Sequence, residues 1–161
     1  NRISSVYLHS FDAKMKIVVI SDTHGDLESV YNVIDKHYDA DLFIHAGDSC
    51  LMPFEIPLFQ IVKGNCDVGY EYPEELTIHT EYGDIYVTHG HKYYNISTYL
   101  IESKNAKIFI FGHTHKKYFD KINNTYVVNP GSLVRPRDGL NGTYAIIYLD
   151  NNKCEVEFKN L

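Results

Sequence analysis

The chain lacks any apolar run approaching the roughly 20 residues that a membrane-spanning helix requires; its apolar runs, such as Ile17 to Ile20, are strand-sized. Contact with a membrane is therefore not expected. Cysteine is sparse: Cys50, Cys66 and Cys154 form an odd set with no two at CxxC spacing. That excludes a disulfide framework or a zinc knuckle and points to a reducing cytoplasm. Positive charge is also short, with 15 Lys and Arg against 21 Asp and Glu and a net charge of -6. General nucleic-acid binding, which needs a basic face, is not expected, although Lys116, Lys117, Arg135 and Arg137 are placed to gather in space. An acidic chain can still bind phosphate if metal cations supply the positive charge. Repeats, linkers and low-complexity tracts are absent. The first residue is Asn1 rather than Met, and residues 1–14 show neither periodicity nor a secretory signal's apolar core. They are read as a tag remnant or upstream extension, with a genuine N-terminal arm as the alternative, and 15–161 as a single domain.

What is present is an ordinary globular pattern, with 44% hydrophobic and 22% charged residues, enough apolar material for a real core. Lys16 to Ser21 is β-branched and apolar, hence a buried strand. Asp26 to His37 carries Leu27, Val30, Tyr31, Val33 and Ile34 at helical spacing. Asp41 to Ala46 is a second buried strand, so the opening predicts a parallel strand–helix–strand unit. Pro53 and Pro57 break up the segment before a third strand, Phe59 to Lys63. Hairpins are expected for Glu75–Thr80 with Asp84–Thr88, for Lys117–Lys121 with Thr125–Val128, and for Thr143–Leu149 with Cys154–Phe158. Between the first two lie a helix over Asn95–Ser103 and a buried strand over Lys107–Phe111. An α/β start ending in hairpins predicts two packed sheets with outer helices.

Metal-type side chains recur just after these strands. Asp22 and His24 follow the first, Asp48 the second and Asn65 the third. His89 follows Asp84–Thr88, and His113 and His115 follow Lys107–Phe111. In α/β sheets ligands bind beyond the carboxyl ends of strands. Each residue alone has an ordinary reading as turn or loop chemistry; five strand ends presenting oxygen or imidazole do not. Residues i and i+2 of an extended chain share a side, so Asp22 with His24, and His113 with His115, are expected to aim at one place. Gly47, Gly64, Gly90 and Gly112 would allow tight turns beside them. Carboxylate, amide and imidazole together suit manganese, iron, cobalt, nickel or zinc better than magnesium or calcium. His91, two residues beyond His89, is expected to face the same site and either contact phosphate or support a ligand, the alternative being a structural loop histidine. His45 is read as a hydrogen-bonded core residue, and His9, His37 and His79 as surface residues.

At these residues the sequence resembles a known family. Asp22-Thr23-His24, Gly47-Asp48, Gly64-Asn65-Cys66-Asp67, His89-Gly90-His91 and Gly112-His113-Thr114-His115 are similar to the ordered motifs of calcineurin-like metallophosphoesterases. Within that superfamily they resemble the small YfcE-like phosphodiesterase branch, as does Asn129-Pro130-Gly131-Ser132 followed by Pro136-Arg137. The resemblance runs from about Met15 to the C-terminus. It implies a four-layer α/β/β/α sandwich of two mixed sheets flanked by helices. It also implies two divalent transition-metal ions, manganese foremost, with Asp22, His24 and His115 holding one, Asn65, His89 and His113 the other, and Asp48 bridging both.

The activity so implied is hydrolysis of a small phosphate ester, a diester foremost, by in-line attack of a metal-bridging hydroxide, with Asn65 and His91 stabilising charge on the phosphate oxygens. Many larger members of the superfamily carry histidine directly after the asparagine ligand. Here that position is Cys66, a poor general acid at neutral pH, so esters with good leaving groups are expected to be preferred. Cys66 reads alternatively as a small buried packing residue, and Asp67 is left without an obvious role. A phosphomonoesterase or nucleotide phosphatase on the same site, and a non-catalytic scaffold on the same fold, are the competing functions. The aromatic loops around Tyr70, Tyr72, Tyr93, Tyr94 and Tyr99 leave room for a homodimer or higher homo-oligomer.

Overall fold

The first strand sets the layering, because its side chains alternate between two buried environments. In the computed structural model, which describes residues 14–161, strand β1 (Met15–Ile20) sends Ile17 and Val19 to one side and Val18 and Ile20 to the other. All four are wholly buried, which explains a continuous apolar run rather than an alternating one. Residues 1–13, with the reading made of the N-terminal segment and of His9, lie outside the described residues.

Helix α1 (Leu27–Lys36) covers one side. Asp26 caps it, accepting the Ser29 N–H at 3.1 Å, while Glu28 in the first turn and Lys36 in the last suit the helix dipole. Its Val30 and Val33 pack on Val18, Ile20, Phe43 and Ile146, each fully buried aliphatic chain contributing roughly 1.5–3 kcal/mol. Strand β2 (Leu42–His45) follows and pairs parallel with β1, and β3 (Phe59–Ile61) pairs parallel with β2. A short 3-10 turn at Pro53–Glu55 precedes β3; sequence periodicity gave only the break, because three residues are too few to show a period.

The chain then builds a second sheet. Strands β4 (Glu75–Thr80) and β5 (Gly83–Thr88) form a hairpin. Helix α2 (Thr98–Ser103) leads into β6 (Ile108–Ile110), followed by β7 (Lys117–Ile122) and β8 (Thr125–Pro130). α2 is shorter than expected because Ser97 caps it, accepting the Leu100 N–H at 3.1 Å. Strands β9 (Thr143–Leu149) and β10 (Cys154–Asn160) return to the first sheet.

The sheets run β10-β9-β1-β2-β3 and β4-β5-β6-β8-β7. Both are mixed: in the first, β1, β2 and β3 are parallel and β9 and β10 are added by antiparallel pairing; in the second, β5, β6 and β8 are parallel and β4 and β7 pair antiparallel at the two edges. Their facing sides share one apolar layer, including Ile17, Val19, Ile44, Ile85, Val87, Ile110, Val128 and Ile147. On the far side of the second sheet, Ile101 of α2 packs with Tyr86, Phe109 and Val127. The result is the expected α/β/β/α sandwich with thin helical layers. No helix among the described residues is long and apolar enough to cross a membrane.

Candidate metal centre

The site forms where the chain leaves β1, β2, β3, β5 and β6. The loops after β1 and β2 run together, tied by Asp22 N–H to Gly47 O and His24 N–H to Asp48 O, both at 3.0 Å, and by Gly25 N–H to Ser49 O at 2.6 Å. In the second sheet the loops after β5 and β6 are tied by Gly112 N–H to His89 O at 3.1 Å, and the His89 ring reaches Ala46 O of the first sheet. Ser132 closes the ring, its hydroxyl donating to Asp22 O at 2.8 Å. Buried Asn129 donates to Gly112 O and bonds Thr114 Oγ1, each at 3.1 Å.

Backbone strain concentrates here. Asp22, His24, Asp48, His113 and His115 all have positive φ, between 45° and 73°, a region that non-glycine residues rarely adopt and that costs of order 1 kcal/mol or more each. This corrects the expectation of extended i, i+2 pairs. Asp22 with His24, and His113 with His115, do converge, but through left-handed turns. Of the four flanking glycines, Gly47 and Gly90 adopt positive φ, while Gly64 and Gly112 are needed for another reason. A Cβ on Gly64 would run into Asp48 Oδ1, and one on Gly112 into Ser21 Oγ, so both permit close approach.

Each carboxylate has one oxygen pinned and the other free. Asp22 Oδ2 accepts from Ser21 Oγ at 2.6 Å and His113 N–H at 3.2 Å, leaving Oδ1 3.2 Å from His115 Nε2. Asp48 Oδ1 accepts the Cys66 N–H at 2.8 Å, leaving Oδ2 3.3 Å from His89 Nε2. The imidazoles are set the same way. His89 Nδ1 donates to Ala46 O and His115 Nδ1 to Arg135 O, both at 2.7 Å, which presents each Nε2 inward. Asn65 Oδ1 sits 3.1 Å from His89 Nε2 and 3.2 Å from His113 Nδ1.

The seven sequence-selected residues are thus together. Asp22, His24 and His115 place donor atoms within 4.8 Å of one another, as do Asp22, Asp48 and His89. Asp22 Oδ1 and His24 Nε2 are buried without a hydrogen-bond partner. Unpartnered buried polar atoms are costly, and a divalent cation between them would remove that cost. The donor set therefore fits a metal ion.

Electrostatics agree. Burial opposes ionisation of Asp48, yet His89 and the Cys66 N–H hold its carboxyl well below the usual range. Burial likewise opposes ionisation of Asp22, and His115, His89 and Ser21 outweigh it. Asp22 raises the basicity of His115. Burial works against protonation of His89, but Asp48 and Asp22 raise it overall. His24, His91 and His113 are pushed down, chiefly by burial.

The surrounding residues bring several corrections. His91 lies beside His89 and His113, with ring centroids 5.4 and 6.3 Å away, and its buried Nδ1 is unpartnered. Cys66 is not a buried packing residue: it is exposed and lines a cavity of about 320 Å³ with His24, Asp48, Asn65, His113, His115, Arg135 and Arg137. Only the arginines of the four candidate cations reach this cavity. Asp67 gains a role, its buried carboxylate accepting the N–H groups of Asp48 and Gly64 at 2.8 Å and of Cys50 at 2.9 Å. His45 is the hydrogen-bonded core residue expected, 2.9 Å from Thr23 Oγ1 and accepting the Gly47 N–H at 3.0 Å. His79 is exposed against Asp84. His37 is half-buried rather than on the surface, its Nε2 2.8 Å from the hydroxyl of buried Tyr144. Ser21 carried no sequence signal of its own, and Ser132 only its place in the Asn129-Pro130-Gly131-Ser132 motif.

This site on this fold defines a metallophosphoesterase. Residues 15–152 match the calcineurin-like phosphoesterase superfamily domain, and the chain belongs to that superfamily. It is 34% identical over 152 residues to a probable metallophosphoesterase, YsnB, of Bacillus subtilis, covering 89% of this chain and 90% of the relative. It is 28% identical to a phosphodiesterase of Methanocaldococcus jannaschii, covering 88% of this chain and 96% of that one. A solved structure from Streptococcus pneumoniae, described as a predicted phosphoesterase, superposes with a TM-score of 0.85 at 32% identity, over 92% of this chain and 90% of the other. The superfamily uses divalent metals, and the Asp and His clusters here could hold them.

Proposed function

We propose that the protein is a binuclear metal-dependent phosphodiesterase. Asp22, His24 and His115 would hold one divalent transition-metal ion, manganese first among manganese, nickel, iron, cobalt and zinc. Asn65, His89 and His113 would hold the other, with Asp48 joining the two. The observation that carries this reading is the pair of buried, unpartnered donors, Asp22 Oδ1 and His24 Nε2, inside a cluster of five strand ends. When bound, such cations supply Lewis acidity, polarising a phosphate ester and acidifying water.

The chain's own residues supply the rest. One pinned oxygen on each of Asp22 and Asp48, and one donated Nδ1–H on each of His89 and His115, set the inward donors in advance, so little reorganisation accompanies the reaction. Asn65 and His91 would donate to phosphate oxygens. His113 also lines a second cavity of about 300 Å³, with Tyr93, Tyr94, Ile96 and Phe111, an apolar place for an aryl ester group. Cys66 occupies the position of a proton donor, but burial and the Asp48 carboxylate push its thiol up from an already alkaline value. It would protonate a departing alkoxide poorly, so good leaving groups are favoured.

The test is turnover of bis(4-nitrophenyl) phosphate and 4-nitrophenyl phosphate by manganese-loaded protein. Faster diester hydrolysis is expected, with rates across aryl diesters rising steeply as leaving-group pKa falls. A faster monoester would make the protein a phosphomonoesterase. No turnover of either ester would leave a scaffold.

A further inference from the structure

Arg135 and Arg137 both line the cavity that holds the candidate metal ligands, yet no metal role uses them. Their loop is stapled to the site: His115 Nδ1 donates to Arg135 O at 2.7 Å, and Arg137 N–H donates to His115 O at 2.9 Å. The Arg135 N–H is held in turn by Ser132 Oγ at 2.8 Å. Among the described residues neither guanidinium lies within ion-pair distance of a carboxylate. Asp138, the acid next in sequence, is turned away and accepts the Lys117 N–H at 2.6 Å. Two free guanidinium forks therefore stand beside a centre built to take cations.

Charge counting shows why this needs an anion. Two divalent cations would bring four positive charges against the two carboxylates Asp22 and Asp48, and the arginines add two more. With the attacking hydroxide counted, the single negative charge of a phosphodiester still leaves about two positive charges uncompensated. Guanidinium groups bind phosphate and carboxylate through paired N–H donors, and a cavity of about 320 Å³ has the dimensions of a small-ligand site.

We infer that Arg135 and Arg137 form a subsite for a second anionic group, a phosphate or carboxylate, carried by the substrate beside the scissile ester. This rests on the phosphodiesterase reading and narrows it. The substrate is a polyanionic diester, oriented with its second anion at the arginine loop and its other ester group toward Tyr93 and Phe111.

Two probes that share diester and leaving group isolate the subsite: thymidine 5′-(4-nitrophenyl phosphate) and the same compound bearing a 3′-phosphate. Metal-loaded full chain should show a KM about tenfold or more lower for the phosphorylated probe, the worth of one or two charge-assisted contacts. In Arg135→Gln/Arg137→Gln the KM ratio between probes should fall to about one, and in Arg135→Lys/Arg137→Lys it should recover in part. Calorimetric titration with adenosine 3′,5′-bisphosphate and adenosine 5′-monophosphate should show the same preference, lost in the glutamine variant. Equal KM values in the native protein, or a ratio that survives in the glutamine variant, would overturn the subsite while leaving phosphodiesterase activity intact. If neither ester is turned over, the phosphodiesterase reading fails, and the calorimetric preference alone then decides the subsite.

Discussion

Asp67 is the residue whose removal should reveal how the metal loops are held. Its buried carboxylate accepts three backbone N–H groups, from Asp48, Gly64 and Cys50, and so ties the end of β2 to the end of β3. Truncation to alanine would leave three buried donors unpaired, each costing about 1–3 kcal/mol. The total, about 3–9 kcal/mol, is a large part of a typical domain's 5–15 kcal/mol, so Asp67→Ala is a poor test. Asp67→Asn keeps the shape. With its carbonyl oxygen facing Asp48 and Gly64, its amide NH₂ must face the Cys50 N–H, and one bond becomes a donor–donor clash costing about 2 kcal/mol. At this chain length that lowers the melting temperature by about 4–8 °C. Asp48 would also be less well held, weakening metal affinity about 10–100-fold. Scanning calorimetry of the metal-free protein and a manganese titration read the two effects. A melting temperature within about 1 °C of the native protein, with unchanged metal affinity, would refute the clamp.

Burial drives His45 down to about 3, far below its unfolded value near 6.5. Below pH 6.5 the unfolded chain takes a proton that the folded chain refuses, so stability is lost as pH falls, at about 1.4 kcal/mol per unit, levelling off near pH 3. Metal-free His45→Gln should therefore lose about 2 kcal/mol less than the native protein between pH 6.5 and 5, measured by urea unfolding; equal losses would remove His45 as the cause. Gly112→Ala should destabilise by about 1–3 kcal/mol and weaken metal binding, because the new methyl displaces Ser21 from Asp22, whereas Gly139→Ala, with open space around it, should do neither; thermal melts of both variants compare them. Manganese at about a thousand times its dissociation constant should add about 4 kcal/mol of stability, reversed by chelator. That gain should shrink as pH falls through neutrality, because the carboxylates make His89 and His115 favour a proton.

Most of the candidate site was legible because each candidate ligand follows a strand, and buried strands announce themselves by apolar β-branched runs. Ile17 to Ile20 marks Asp22 and His24, and Ile108 to Phe111 marks His113 and His115. The conformation at those ends was not legible. Five polar residues accept positive φ only because loops from both sheets over-determine them, and that is a tertiary effect with no local sequence sign. Asp67 shows the same limit, since its three partners lie on two loops that meet only in the folded chain. Cys66 is exposed because its N–H must reach Asp48, which turns the side chain toward the cavity rather than into the core. His37 gave no motif because its partner, Tyr144, is far away in sequence. The arginines were visible as charges, but which of four cations would reach the site depended on the path of the loop after Ser132.

The most direct measurement is metal stoichiometry by elemental analysis, paired with diester turnover, for the native protein and Asp48→Ala. Two ions per native chain are expected, falling to one or fewer in the variant, with turnover lost at the same time. Two ions and an undiminished rate in Asp48→Ala would contradict a binuclear centre joined by Asp48.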